Sequence, residues 1–280
     1  MPLVYACICP QPPVIVPDVE RGHKIEAART IEALGSVAAE LASYRPETGL
    51  LISPYGSSRH QAMGLLTATE VSGDFAQFDA PEVSYAHKTD QELAERIRQE
   101  AAGEELRLMD VLRWNGGLDR SCTSPLYYLR EALAGATLLP VTTAWLESRF
   151  HFALGRAIGR ALAGYDRRVA LICSADLSHA LSADAPKGHD PAGRVFDARY
   201  RRTIEAWDVK WLVNLDTDFR RHAREEAVPQ TAILMGALSG YRIQPRVLSY
   251  ESPFGVGYLV AAIDVLGGRG KRAAQAQAQA

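Results

Sequence analysis

Residues 169–179 have the sequence VALICSADLSH, in which five apolar residues lead directly into polar ones. The apolar run predicts a buried β-strand, because a strand that is covered on both faces has no polar alternation. The residues that follow are expected at the carboxyl end of the strand, where ligands bind in α/β folds. Asp176 and His179 are therefore predicted at a functional edge of a sheet, with His179 suited to acid–base chemistry. The alternative is a loop histidine that bonds only to backbone.

Strands of the same kind, separated by helices, are predicted along the rest of the chain. The strands are 4–9, 49–53, 106–111 and 136–142; the helices are 22–44, 90–102, 125–134 and 147–163, with two or three more over about 193–239; a hairpin of 243–251 and 256–265 ends the pattern. This alternation predicts an α/β fold with a central, mostly buried sheet covered by helices. A single domain is predicted over residues 1–266, followed by a disordered low-complexity tail over 267–280.

Composition narrows the classes of partner and compartment. The chain of 280 residues has 31 Lys and Arg against 33 Asp and Glu, without the basic excess of a general nucleic-acid-binding protein. No apolar run approaches the roughly 20 residues that span a bilayer, so no membrane partner is predicted. The N-terminus lacks the basic region of a signal peptide, and the four cysteines form no CxxC pair. We therefore predict a cytoplasmic protein with reduced thiols.

Three further motifs have both a functional and a structural interpretation. Arg120, which follows a Gly-Gly turn, can bind an anionic ligand through two hydrogen bonds or pair with a carboxylate as scaffolding. Cys7 and Cys9 share a strand face and could hold a metal, although two buried reduced thiols are favoured because no second Cys pair is present. Glu225 and Glu226 could ligate a metal or form the exposed acidic first turn of the next helix, which is favoured.

Six stretches of the chain carry a family resemblance. They are CICPQPPVIVPDV (7–19), LLISPYGSS (50–58), GDFAQFDAPEV (73–83), GGLDRSCTSPLYYL (116–129), ICSADLSHAL (172–181) and YESPFGVGYLVA (250–261). Together they resemble the class III extradiol ring-cleaving dioxygenases, the family of the catalytic subunit of protocatechuate 4,5-dioxygenase, and more closely its Memo-related bacterial branch. The resemblance implies the class III extradiol dioxygenase fold. It also implies an Fe(II) ion held by two histidines and a glutamate, which cleaves a catechol-like ring with dioxygen.

The chain departs from that family at the positions that would hold the iron. Gln11 stands where the family motif CPHPP has a histidine ligand, and Tyr55 stands where SPHG has the second. Arg120 replaces the pocket histidine of LDHG, whereas His179 matches the histidine of DLSH. The carboxylate ligand falls at Glu225 or Glu226, of which we take Glu226. The candidate metal-binding residues are thus Gln11 and Glu226, and the candidate catalytic residues are His179, Arg120 and Tyr55.

These departures lead to two classes of function. The preferred prediction is a homologue with a degenerate Fe(II) site. It would be a non-catalytic partner of a homologous catalytic subunit, as in 2-aminophenol 1,6-dioxygenase, or a protein that binds an anionic or aromatic small molecule. A homo- or hetero-oligomer is expected. The alternative is an active enzyme, in which Arg120 binds a substrate carboxylate while His179 and Tyr55 act as acid and base, or in which His60 and His151 belong to a rearranged iron site.

Overall fold

The computed structural model describes residues 2–20, 26–54, 62–104, 106, 108–111 and 117–268. The strands are β1 (Leu3–Cys9), β2 (Thr48–Ser53), β3 (Met63–Leu66), β4 (Glu70–Phe75), β5 (Ala80–Lys88), β6 (Leu108–Val111), β7 (Thr137–Thr142), β8 (Val169–Ser174), β9 (Asp176–Ser178), β10 (Glu225–Glu226), β11 (Arg242–Glu251) and β12 (Tyr258–Gly267). The α-helices are α1 (Pro17–Glu20), α2 (Ala28–Tyr44), α3 (Gln91–Ala102), α4 (Arg120–Leu129), α5 (Ser148–Ala161), α6 (Pro191–Ala206), α7 (Val209–Val213), α8 (Thr217–Ala223) and α9 (Val228–Ala237).

The main sheet of the described residues has eight strands in the order β11-β12-β1-β8-β2-β7-β3-β6. Strands β1, β8, β2 and β7 are parallel, so their carboxyl ends lie at one edge of the sheet. Strand β12 runs antiparallel to β1, which brings its first residue, Tyr258, to the same edge. This edge is where ligands bind in α/β folds, and it is the edge that the sequence predicts.

Helices cover both faces of the sheet. On one face, α3 and α5 to α9 contribute to an apolar core that includes Val169, Leu171 and Cys173 of β8. On the other face, α2 and α4 pack on Ala170 and Ile172 of the same strand. Burial on both faces explains why this strand is an uninterrupted apolar run. The predicted α/β class, with a mostly buried central sheet, is confirmed.

Two predicted helices begin at different residues in the structure. The helix predicted over 22–44 begins at Ala28, after non-helical residues 26 and 27, while 22–25 lie outside the described residues. The helix predicted over 125–134 is α4, which begins at Arg120 because the Asp119 side chain accepts a hydrogen bond from the Ser121 amide. Pro125 lies inside α4, where it cannot donate to the Ser121 carbonyl. That carbonyl instead accepts the Ser174 hydroxyl at 2.5 Å.

The structure also contains elements that the apolar pattern does not reveal. Strand β3, the β4–β5 hairpin and the two-residue strand β10 are absent from the predicted elements, and four helices rather than two or three lie within the described residues 191–237. Strand β12 continues through Gly267, which pairs with Arg242. Residues 269–280 lie outside the described residues. Across the described ranges, no helix combines the length and the apolar composition that a membrane crossing requires.

Candidate functional site

The carboxyl edge of the sheet brings together four of the five residues that the sequence predicts for the site. Gln11 follows β1, Arg120 begins α4, His179 follows β9 and Glu226 ends β10. The antiparallel pairing of β9 with β10 places the Glu226 strand beside the His179 strand. The fifth residue, Tyr55, lies outside the described residues.

Asp176, which the sequence predicts at this functional edge, links these residues. Its Oδ1 accepts the Gln11 backbone amide at 2.9 Å, and its Oδ2 lies 3.9 Å from His179 Nε2. The pKa of Asp176 is raised to about 7, mainly by burial and also by the Glu226 carboxylate, against lowering contributions from the Gln11 amide and the Arg120 guanidinium. The carboxyl of Asp176 therefore exchanges a proton near neutral pH. The signal for this role is its position, two residues past the end of a buried strand.

His179 has one ring nitrogen bonded and one that faces carboxylates. Nδ1 lies 3.2 Å from the Leu177 carbonyl oxygen, which can only accept, so Nδ1 carries the hydrogen and Nε2 carries the lone pair. Nε2 lies 3.8 Å from Glu226 Oε2 and 3.9 Å from Asp176 Oδ2, too far for direct hydrogen bonds. Burial lowers the pKa of His179, and Lys187 lowers it further, although Glu226 opposes both. A neutral imidazole thus presents an acceptor nitrogen to the site.

The segment that carries His179 is held in place by its backbone on both sides. The Leu177 amide donates to the Gly257 carbonyl at 2.9 Å, and the Gly257 amide donates to the Ser178 carbonyl at 2.9 Å. The Ser178 amide donates to Asp197 Oδ1 at 3.0 Å, while the Tyr250 hydroxyl donates to Asp197 Oδ2 at 2.7 Å. A site built on such a segment keeps its geometry before any ligand arrives.

The two adjacent glutamates have different roles. The Glu225 carboxylate is buried, accepts the Ala227 and Val228 amides at 2.7 and 2.8 Å, and pairs with Arg220 at 2.6 Å. Glu225 therefore caps the start of α9 and is not the exposed acidic turn that the sequence favours. Glu226 is the site carboxylate, as the register of β10 turns it towards His179.

Glu226 is surrounded by cationic groups. Lys187 Nζ lies 2.8 Å from Glu226 Oε1. Burial by itself would raise the pKa of Glu226, but His179 in its protonated form, Lys187 and Arg120 lower it. The carboxylate of Glu226 is thus ionised at neutral pH, with its charge balanced by side chains of the chain itself. Lys187 is a functional candidate that the sequence analysis misses.

Gln11 has a buried amide atom without a hydrogen-bond partner. Ser174 Oγ lies 2.5 Å from the Ser121 carbonyl and 3.1 Å from Gln11 Oε1, yet a hydroxyl has only one hydrogen to donate. Gln11 Nε2 is buried and unpartnered. Rotating the amide by 180° would satisfy Nε2 on Ser174 and leave Oε1 unpartnered instead. In either orientation, one buried polar atom of Gln11 is available to a ligand.

The cysteines and His151, which are the other candidate metal residues that the structure describes, are structural. All four cysteines are free and buried, which matches the favoured interpretation of Cys7 and Cys9. His151 Nε2 accepts the Ala144 amide at 3.2 Å and Nδ1 lies 3.2 Å from the Glu147 carbonyl, so this imidazole has no nitrogen left for iron. His60 lies outside the described residues. Among the residues that the structure describes, no group of three or more His, Cys, Asp or Glu side chains is placed to hold a metal ion.

Comparison with known proteins agrees with this fold. Residues 5–261 match the family described as the catalytic LigB subunit of aromatic ring-opening dioxygenase. The chain is 31% identical over 264 residues to protein CA_C1420 of Clostridium acetobutylicum, an alignment that covers 92% of this chain and 56% of that protein. The chain thus spans about half the length of this relative. A crystal structure of the uncharacterized protein JW3007 from Escherichia coli K12 superposes with a TM-score of 0.60 at 14% identity, covering 93% of this chain and 99% of that one.

The class that the fold and the site edge define is a single α/β domain with a large mixed sheet flanked by helices. Within that class, the match over nearly the whole chain shows that the protein belongs to the LigB family. The family relationship is to aromatic ring-opening dioxygenases, as the resemblance of the six sequence stretches predicts.

Proposed function

We propose that this chain is a LigB-family protein whose Fe(II) site is degenerate and which binds a small molecule or a partner subunit instead of cleaving aromatic rings. One observation carries the proposal. The Glu226 carboxylate, the predicted metal ligand, is paired with Lys187 at 2.8 Å and lies in the field of Arg120. Two fixed cations beside the carboxylate oppose a third, divalent one.

The donor chemistry supports the same proposal. A non-haem Fe(II) site that activates dioxygen needs two imidazoles and one carboxylate on one face, with open positions for substrate and oxygen. The described site supplies the imidazole of His179 and the amide of Gln11, and His151 is committed to backbone. These residues do not fit Fe(II). Gln11 and Glu226 stay the candidate ligands for any other cation.

The chemistry of the site indicates the class of ligand. Arg120 is a guanidinium, which binds a carboxylate through two parallel hydrogen bonds. His179 Nε2 and the unpartnered amide atom of Gln11 lie in the same site and can bond to a polar group of the ligand. An anionic aromatic molecule, such as a benzoate with a ring substituent, combines the required features.

We also propose that the protein is cytoplasmic and that it descends from the Memo-related branch of the family.

A partner role is the second form of this proposal. A homologous subunit with a complete His, His and Glu site would supply the chemistry, and this chain would assemble with it. Because the chain spans about half of the Clostridium acetobutylicum relative, the activity and partners of the whole protein belong to the proposal as well.

Oxygen uptake tests the proposal. The chain is loaded anaerobically with Fe(II), and dioxygen consumption is measured with catechol and with 2-aminophenol. We expect no uptake above that of free iron, and uptake only when a homologous catalytic subunit is added. Uptake by the loaded chain alone, proportional to protein concentration, would refute the degenerate site.

One arrangement favours an iron-independent enzyme as the alternative. The lone pair of His179 Nε2 faces both Asp176 and Glu226, and Asp176 has a pKa of about 7. Groups that exchange protons near neutral pH are suited to acid–base catalysis. In this alternative Arg120 holds the substrate carboxylate, and H179A and R120A each abolish turnover. Turnover that survives both substitutions would exclude it.

A further inference from the structure

The turn between β11 and β12 has an unusual residue at its tip. The Val256 amide donates to the Pro253 carbonyl at 3.2 Å, which closes a four-residue turn. Phe254 has φ 57° and ψ 19°, and Gly255 has φ 70°, so both central residues are left-handed. This is the type I′ hairpin turn, in which Asn, Asp or Gly is preferred at the first central position. A phenylalanine there is strained.

Packing does not offset this strain. Phe254 remains 43% exposed and belongs to neither apolar core of the described residues. Gly255 packs so closely on Ser182 that a Cβ at this position would clash with the serine Oγ. The tip of this closely packed turn holds an aromatic ring at the surface. Strained residues of this kind concentrate at functional sites.

The turn lies directly against the segment that carries His179. The Leu181 amide donates to the Gly255 carbonyl at 3.1 Å, and the Gly257 amide donates to the Ser178 carbonyl at 2.9 Å. These two bonds bracket His179 on either side. Phe254 therefore lies at the tip of a turn whose backbone is bonded to the segment on both sides of His179.

We propose that Phe254 is a specificity-determining residue whose ring forms one wall of the entrance to the site and contacts the planar part of the ligand. The inference rests on the proposed function, because it assumes a small-molecule ligand held by Arg120. It adds the residue, Phe254, that selects aromatic over aliphatic anions. An exposed ring at the border of the site can stack on the planar part of a ligand.

The test measures the binding of benzoate and acetate to the full chain by calorimetry. Variants F254N and F254Y are compared with the wild type, with R120Q as a matched change at the anion contact. We expect F254N to weaken benzoate binding about 2- to 10-fold while acetate binding is unchanged, because about 0.5–1.4 kcal/mol of ring contact is lost. F254Y keeps the ring and should bind like the wild type. F254N should also raise the Tm, since asparagine suits the left-handed turn.

The outcomes separate the two claims. If R120Q weakens both anions but F254N leaves the ratio of benzoate to acetate affinity unchanged, the role of Phe254 is overturned and the anion site stands. If R120Q changes neither affinity, the anion site of the proposed function fails. If the wild type does not bind benzoate at all, both claims fail. A drop in Tm for F254N would show that the turn is not strained and would also count against the proposal.

Discussion

Two buried histidines of this protein have the same side chain and opposite surroundings. His151 is 0% exposed and His179 is 8% exposed, and burial lowers the pKa of both. The two ring nitrogens of His151 are both bonded to backbone, at Ala144 and Glu147. His179 has only Nδ1 bonded, and its Nε2 faces two carboxylates. The difference indicates that burial alone does not mark a functional histidine, whereas an unused nitrogen does.

The largest expected contrast is in stability. H151A leaves a cavity and a buried Ala144 amide without an acceptor, so the free energy of unfolding should fall by about 4 kcal/mol. H179A leaves only the Leu177 carbonyl, at the edge of the site, without its hydrogen-bond donor. The free energy of unfolding should therefore fall by about 1 kcal/mol or less. Urea unfolding of both variants at pH 7 checks the contrast. Equal losses would break the distinction between the two residues.

The pH dependence of stability should reveal His151. Burial lowers its pKa to about 4, against small opposing contributions from the Glu147 and Ala144 backbone. A histidine in the unfolded chain has a pKa of about 6.5. Between about pH 6.5 and 4 the unfolded chain therefore binds more protons than the folded chain. The contribution of His151 is therefore complete above pH 6.5 and is lost as the pH falls, by about 3 kcal/mol.

The variant H151Q provides the control for this pH dependence. Its amide oxygen can still accept from Ala144, and it does not titrate in this range. The stability difference between wild type and H151Q should shrink as the pH falls from about 6.5 to 4 and stay constant above it. A difference that does not vary with pH would show that His151 is already charged or exposed.

A smaller effect is expected from the support of the His179 segment. Y250F removes the hydroxyl that donates to Asp197, which in turn accepts the Ser178 amide. The free energy of unfolding should fall by about 1–2 kcal/mol. Hydrogen exchange at the Ser178 amide should become faster. Y44F, on a half-buried tyrosine whose ring stacks on Tyr5, provides a comparison. If hydrogen exchange at the Ser178 amide is unchanged in Y250F, the Tyr250–Asp197 contact does not position the His179 segment.

The smallest effect concerns the charges around His179. Glu226 raises its pKa and Lys187 lowers it. E226Q should therefore lower the pKa of His179, and K187M should raise it, each within about one unit. NMR titration of the His179 ring protons measures both shifts. If both substitutions shifted the pKa of His179 in the same direction, the opposite charges of Glu226 and Lys187 would not both act on this imidazole.

Much of the fold can be predicted from the sequence, because strands buried on both faces are uninterrupted apolar runs. The apolar runs at β1, β2, β7 and β8 are long enough to stand out, and they form the parallel centre of the sheet. The β4–β5 hairpin is not predicted, since its exposed residues alternate with only three buried ones, Val71, Gly73 and Phe75, on β4. The start of α4 is missed because Pro125 is typical of a first helical turn, whereas Asp119 is the residue that caps it.

The site could be predicted only in part. Gln11, Arg120, His179 and Glu226 follow from the family motifs and meet at one edge of the sheet. The choice between Glu225 and Glu226 depends on the register of β10 against β9, which no local pattern determines. Lys187 lies in a loop and pairs with Glu226 across it. The backbone amide of Lys187 donates to the His179 carbonyl at 3.2 Å, so the role of Lys187 depends on tertiary contacts.

Iron binding tests the central claim most directly. The wild type and a Q11H/Y55H/R120H variant, which restores the three family histidines, are loaded anaerobically with Fe(II), desalted and analysed for bound metal. Tyr55 enters this design from its motif alone. The account predicts that the wild type retains no more iron than a non-metal control protein, while the restored variant retains more. Stoichiometric iron on the wild-type chain would contradict the account.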